Sequence, residues 1–229
     1  MKKLLLVLAA LLVVNGAFSQ DVKFGIKAGL NLAGVSPVEM SVSGVTVKMF
    51  ENDGMNVGFH FGAFANVGLN EKFAFQPELL FSTQGGKQKP NSLLDMGNAK
   101  VSYKFNYLLI PLLLEFKPVD KLGILLGPQL GFNVSRSATS TLDGEKETIS
   151  GSDFDDAFTG DNGEKILKNF DASLAIGLQY ALAEKVTIGA RFNLGLTNSL
   201  SYSTTEEGMK ISEKGWKNNV FQIGIAYSF

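Results

Sequence analysis

The sequence predicts an all-β chain, folded as an eight-stranded antiparallel up-and-down transmembrane barrel with short periplasmic turns and long extracellular loops. Three observations carry this prediction. The one long apolar run, residues 4–14, is only eleven residues and stands at the N-terminus, whereas a membrane-spanning helix needs about 20. The remaining chain alternates apolar with small or polar residues at a period of two, the mark of strands with one greasy face. The connections between these strands are alternately short and long, as in barrels whose two rims face different compartments.

Composition bounds the alternatives. Of 229 residues, 45% are hydrophobic, too many for a disordered chain. A formal net charge of -1 and a pI near 5.9 supply no basic field for a nucleic-acid backbone, so no nucleic acid is expected as a partner. The absence of cysteine excludes a disulfide scaffold, Cys-bearing zinc sites and a thiol nucleophile.

The N-terminal run follows Met1, Lys2 and Lys3 and breaks at Asn15-Gly16, and Ala17-Phe18-Ser19 offers small residues where a signal peptidase reads them. Residues 1–19 are therefore expected to be a signal peptide cleaved after Ser19, and residues 20–229 the barrel domain. No later stretch reaches 18 consecutive apolar residues, so after export the chain would enter a membrane only as strands.

The first strand places Phe24, Ile26, Ala28, Leu30 and Leu32 against Lys23, Gly25, Lys27, Gly29 and Asn31. The second, residues 56–67, sets Val57, Phe59 and Phe61 against Gly58, His60, Gly62 and Phe64. The third, residues 72–83, opposes Phe73, Phe75, Pro77, Leu79 and Phe81 to Ala74, Gln76, Glu78 and Ser82. The fourth, residues 102–117, is nearly continuous in apolar residues; Leu108, Ile110, Leu112, Leu114 and Phe116 outward leave Glu115 inward. The fifth, residues 121–134, points Ile124, Leu126, Leu130 and Phe132 outward, and Pro128 in that row predicts a bulge or bend. The sixth and seventh, residues 169–182 and 185–197, put Asp171, Ser173, Gly177 and Gln179, then Thr187, Gly189, Arg191 and Asn193, on the inward face. The eighth alternates Phe221, Ile223, Ile225, Tyr227 and Phe229 with Gln222, Gly224, Ala226 and Ser228.

Short connections contain Glu71-Lys72, Asp120-Lys121 and Glu184-Lys185; the long ones cover roughly residues 33–55, 84–101, 135–168 and 198–216. A lipid-facing barrel turns its apolar side outward, and eight strands leave a lumen only wide enough for side chains, so the small and polar face is expected inside. Phe24, Phe73, Tyr103, Phe132, Phe170, Tyr180, Tyr227 and Phe229 lie near strand ends and suit two interfacial girdles. The terminal Phe229 is like the signal read by the outer-membrane assembly machinery, an expected partner during biogenesis beside outer-membrane lipids.

Four segments carry a family resemblance. Phe24-Gly25-Ile26-Lys27-Ala28-Gly29-Leu30-Asn31-Leu32-Ala33 resembles the first strand of the PorT-like outer-membrane β-barrel family. Tyr107-Leu108-Leu109-Ile110-Pro111-Leu112-Leu113-Leu114-Glu115-Phe116 resembles its fourth strand, Gly127-Pro128-Gln129-Leu130-Gly131-Phe132 its fifth and Gly224-Ile225-Ala226-Tyr227-Ser228-Phe229 its last. The resemblance implies an eight-stranded barrel in the outer membrane of a diderm bacterium, and no catalytic residue.

Candidate chemistry is sparse. Lys27, Glu78, Glu115 and Arg191 are the inward charges, and a charge in a narrow lumen needs a partner. Lys27 and Arg191 are expected to pair with Glu78 and Glu115 as a polar network that plugs the lumen. His60, the single histidine, would be a general base only with an acid or hydroxyl in reach; a lumen-filling role is expected. The acids of residues 135–168, among them Asp153, Asp155, Asp156 and Asp161, miss the EF-hand spacing because Ala157 takes a ligand position, and a solvated loop is expected. Gly85-Gly86 lacks the strand-to-helix context of a phosphate loop.

No catalytic residue, cofactor or metal is expected. The predicted role is that of an integral outer-membrane protein acting through structure or interaction, with a protein or ligand bound at the long loops. The alternatives are a narrow channel for small solutes or ions and an outer-membrane enzyme acting on lipid; a soluble periplasmic lipid carrier conflicts with the polar inner face.

Overall fold

The computed structural model describes residues 22–92, 98–159, 163, 166–206 and 209–229. The predicted signal peptide, residues 1–19, lies outside the described residues. Along the chain run β1 (Val22–Val35), β2 (Val38–Val42), β3 (Val45–Gly68), β4 (Phe73–Pro90), β5 (Lys100–Val119), β6 (Leu122–Leu142) and β7 (Glu145–Ser150). The short helix α1 (Ser152–Ala157) and strands β8 (Phe170–Ala181), β9 (Val186–Gly195), β10 (Leu200–Glu206), β11 (Met209–Gly215) and β12 (Asn218–Ser228) follow.

Eight of these strands pair antiparallel in the order β1-β12-β9-β8-β6-β5-β4-β3, and β3 returns to pair with β1, closing the ring. Closure leaves no open edge in the barrel wall, the condition for strands to sit in lipid. The start of β1 and the end of β12 lie on the rim of the short turns, where the Phe229 N–H donates to the Phe24 carbonyl. No described helix is long and apolar enough to cross a membrane, which says nothing about crossing by strands.

The alternation sorts faces as expected. Phe24, Ile26, Leu30, Phe59, Phe61, Leu79, Leu126, Ile176, Leu178, Ile223 and Ile225 are all exposed on the outer wall, while Asn31, His60, Gln76, Glu78, Glu115, Arg191 and Gln222 are buried inside. In β5 the outward row is Leu108, Ile110, Leu112, Leu114 and Phe116, and Glu115 is inward. Of the aromatic residues expected in girdles, Phe24, Phe132, Phe170, Tyr180, Tyr227 and Phe229 are exposed outside. Tyr103 departs from the expectation: it is buried inside, because its place in β5 shares a face with Phe105, Tyr107 and Leu109.

Pro128 causes no bulge. The β5–β6 register is the same on both sides of it, with Pro111 opposite Gln129 and Leu114 opposite Leu126, and Pro128 itself faces Leu174 of β8 without a shift. A proline removes one N–H donor without inserting a residue, so a rung is lost while the register holds.

The long connections are largely strand. β3 begins at Val45, β4 continues to Pro90, β5 begins at Lys100 and β6 continues to Leu142, so the wall rises past the apolar belt as a crown. β2 pairs with the upper part of β3, β11 with β2, β10 with β11, and β7 folds back on β6. Two hairpins are closed by Ser43-Gly44 and Asp143-Gly144, with φ of 47° and 91° and of 49° and 93°. Positive φ at both central residues is the type I′ geometry that matches strand twist, and Asp-Gly is a favoured pair for it. In the sequence, Asp143-Gly144 is the local signal for the hairpin of β6 and β7.

Candidate functional site

The lumen is filled in layers. Nearest the short turns, the Glu115 carboxylate accepts from Asn66 Nδ2 and from Gln179 Nε2, each at 2.7 Å, and Lys117 Nζ stands 3.6 Å away. Gln76 links this group to the next: its Oε1 accepts from Asn66 at 3.2 Å, and its Nε2 donates to Glu78 Oε1 at 2.7 Å.

Glu78 is the hub of the second layer. Lys27 Nζ lies 2.9 Å from its Oε1, and Arg191 Nη1 3.0 Å from its Oε2. Arg191 Nε donates to Gln222 Oε1 at 3.0 Å, and Gln222 Nε2 donates to Asn31 Oδ1 at 3.0 Å. Asn31 Nδ2 in turn donates to Ser82 Oγ at 2.9 Å and to the Thr83 carbonyl at 2.8 Å. The structure brings Lys27, Glu78 and Arg191 together. Glu115 departs from the expected sharing of cations: both lumen cations go to Glu78, and amides satisfy Glu115, because Gln76 stands between the two carboxylates. Taking these charges out of water is costly, and each is held by opposite charge or by hydrogen bonds to the charged group.

His60 belongs to the same layer. Its Nδ1 lies 2.7 Å from Asn31 Oδ1, which only accepts, so Nδ1 carries the proton. Gly29 faces Gly224 across β1 and β12, and the missing side chains make room for the ring. A Cβ on Gly29 would stand 2.7 Å from His60 Cε1, and one on Gly224 3.1 Å from Nε2. A cavity of about 30 Å³ beside the ring is walled in part by Lys27, Arg191 and Gln222.

Above lies a third polar layer. Asn218 Nδ2 donates to Tyr107 Oη at 3.0 Å and to Asp171 Oδ2 at 2.5 Å, and Thr197 Oγ1 donates to Asp171 Oδ1 at 2.8 Å. Gln129 Nε2 donates to Ser173 Oγ at 3.0 Å. Here the inward residues of β8 and β9 converge on the apolar inner face of β5.

An aromatic cap closes the crown. Trp216, 1% exposed, packs its ring 4.6 Å from Tyr103, 5.1 Å from Phe158 and 5.5 Å from Phe105 between centroids, and its Nε1 donates to Gln88 Oε1 at 3.1 Å. Val35, Val38, Phe154, Leu167 and Leu200 complete this core. Trp216 holds φ of 61°, a left-handed conformation costly for a bulky residue and kept only where packing overdetermines it. The expected small and polar inner face thus holds for the three polar layers apart from Phe64, Leu113 and Leu125, and the part above them is apolar instead. The nearly continuous apolar run of the fourth predicted strand supplies both an outer row and an inner one.

Gly85-Gly86 lets the layers meet: a Cβ on Gly86 would stand 2.7 Å from the Val35 amide, so β4 and the end of β1 touch there only without side chains. Arg136 ties α1 to the wall, with Nη1 3.1 Å from Asp155 Oδ1 and Nη2 donating at 2.7 Å to both the Lys168 carbonyl and Asn169 Oδ1. Asp153 and Asp156 share α1 with Asp155, and Asp161 lies outside the described residues. Among the described residues no group of three or more His, Cys, Asp or Glu side chains is arranged to hold a metal.

Several solved structures are similar to this chain. The outer membrane protein OprG from Pseudomonas aeruginosa is 16% identical, covering 92% of this chain and 97% of its own, with a TM-score of 0.48. Neisserial surface protein A is 13% identical over 91% and 99%, with a TM-score of 0.44. The attachment invasion locus protein Ail of Yersinia pestis is 14% identical over 91% and 99%, with a TM-score of 0.40. A search of curated protein sequences gives no match. The model of one family matches residues 18–201, most of the chain, and the protein belongs to that family, the outer membrane protein beta-barrel domain.

Proposed function

We propose that the protein is a non-conducting, non-catalytic outer-membrane barrel that works through its crown, binding a protein or ligand on the long-connection rim, which faces outside. The observation that carries this reading is a strap across the lumen. Arg191 of β9 and Glu78 of β4 stand on strands four places apart in a ring of eight, and their side chains meet at 3.0 Å. The aromatic cap around Trp216 lies above that strap, and the lumen cavity beside His60 is only about 30 Å³, room for about two water molecules. A non-catalytic reading is supported by His60, whose Nδ1 is engaged by an amide and not by a carboxylate.

The narrower PorT-like assignment rests on the four segments quoted above, and export on a cleaved signal peptide rests on residues 1–19. Planar-bilayer recording tests the closed lumen. Protein verified as folded by its mobility shift on boiling is expected to give no discrete conductance steps; steps that persist in repeated preparations would favour the narrow channel.

A further inference from the structure

The third polar layer contains more acceptors than it uses. A cavity of about 10 Å³ is walled by Gln84, whose Nε2 donates to Ser82 Oγ, and by Gln129, Asp171, Ser173, Asn193 and Asn218 together with apolar neighbours. Gln129, Asn193 and Asn218 are each no more than 3% exposed, yet Gln129 Oε1, Asn193 Oδ1 and Asn218 Oδ1 meet no hydrogen-bond donor. Asn193 Nδ2 is the one unpartnered donor on this wall, so idle acceptors outnumber idle donors three to one. Buried polar atoms in folded proteins are nearly always satisfied, so such a concentration needs a cause. Beside them Asp171 is buried and, among the described residues, forms no ion pair.

We propose that this cavity binds a single hard cation. Every candidate ligand is oxygen: a carboxylate, three amide carbonyls and the Ser173 hydroxyl, with no imidazole or sulfur, which is the donor set of alkali and alkaline-earth ions. The volume admits one monoatomic particle or one water and nothing larger. A water would donate to two of the three idle acceptors and accept from Asn193 Nδ2, leaving one acceptor unmet beside the carboxylate. A cation suits acceptors and carboxylate alike, and sodium matches the charge of a single carboxylate. The ligands come from β6, β8, β9 and β12, so binding would fasten four strands beneath the aromatic cap.

The test is thermal unfolding of the detergent-folded full chain, followed by loss of the heat-modifiable gel band, in sodium chloride against choline chloride at equal ionic strength, and with added calcium chloride or EDTA. Choline is too large for the cavity and controls for screening. The expected result is a midpoint higher in sodium by about 5 °C at saturation, absent in Asp171→Asn and in Asn193→Leu. Should either variant fail to fold, sodium-23 relaxation on the wild-type barrel reads binding directly, as line broadening relieved by excess lithium. A rise with calcium that EDTA reverses would make the cation divalent and still support the site. Equal midpoints in sodium, choline and calcium with no sodium-23 broadening would overturn it and leave hydration only, as would an equal shift in both variants.

Discussion

Arg191 Nη1 meets Glu78 Oε2 at 3.0 Å although the two residues stand on opposite sides of the ring and 113 positions apart in sequence. The contact turns a hollow wall into a filled cylinder: each side chain spans part of the lumen, and Lys27 reaches the same carboxylate from β1 at 2.9 Å.

Glu78→Gln should be the most damaging of the charge substitutions, because it leaves two cations inside the barrel without their counter-charge. Removing one partner of a buried pair costs about 3–5 kcal/mol. Lys100→Ala removes the Asp53 pair of 3.1 Å on the rim, whose lysine is 60% exposed, and should cost less than about 1 kcal/mol. Urea unfolding in detergent or vesicles compares the two; equal losses would show that the lumen pair carries no special weight. Glu78→Gln combined with Arg191→Gln should lose less than the sum of the single variants, since the pair is coupled.

Trp216 is the single tryptophan of the chain, so its fluorescence reports the cap. Burial in the aromatic cluster predicts blue-shifted emission with little quenching by acrylamide, and a red shift when the crown unfolds. Trp216→Ala should cost about 3–5 kcal/mol by cavity formation, and Trp216→Phe less, since it keeps a ring against Tyr103. Emission already red-shifted in the folded barrel would mean that the cap is open.

Gly29→Val should displace His60. The new side chain would run into the backbone of Ile223 and Gly224 and into the imidazole, and backbone does not yield as a flexible side chain does. The expected outcome is a lower unfolding temperature together with a changed His60 ring signal in the NMR spectrum; an unchanged ring signal would place the imidazole elsewhere. Gly44→Ala, at an open hairpin tip with nothing near its Cβ, meets only the cost of its φ of 91° and serves as the milder comparison.

Arg136→Ala should free α1 from the wall without opening the barrel. It removes the contacts to Asp155, Lys168 and Asn169 at one stroke. Limited proteolysis is expected to cut between β7 and β8 sooner than in the wild type while the heat-modifiable band persists; an unchanged cleavage rate would mean that the aromatic packing of Phe154 and Phe158 alone holds the segment.

Much of this architecture is legible locally. In the run Phe59, His60 and Phe61, outward and inward residues are separable one by one, because a strand turns successive side chains to opposite faces. The same rule puts Lys27, Glu78, Glu115 and Arg191 inside, and eight such segments with alternating connections imply the ring and the rim where β1 begins and β12 ends. The crown is less legible: long connections read as loops, although Asp143-Gly144 carries a hairpin signature and continued pairing satisfies the backbone of β6 and β7.

Apart from Tyr103, read as an interfacial residue and buried inside, the sequence by itself determined which residues face outward and which face inward, since that depends only on the period of the strand. Which inward residues meet was decided by the tertiary structure alone. Nothing near Glu78 in sequence announces that both Lys27 and Arg191 will reach it while Glu115 is left to Asn66, Gln179 and Lys117. Nor does anything near Trp216 announce Gln88, Tyr103 and Phe158 as its neighbours. Those meetings depend on how far each strand is staggered against the next around the closed ring, a quantity summed over eight pairings and written in no single one of them.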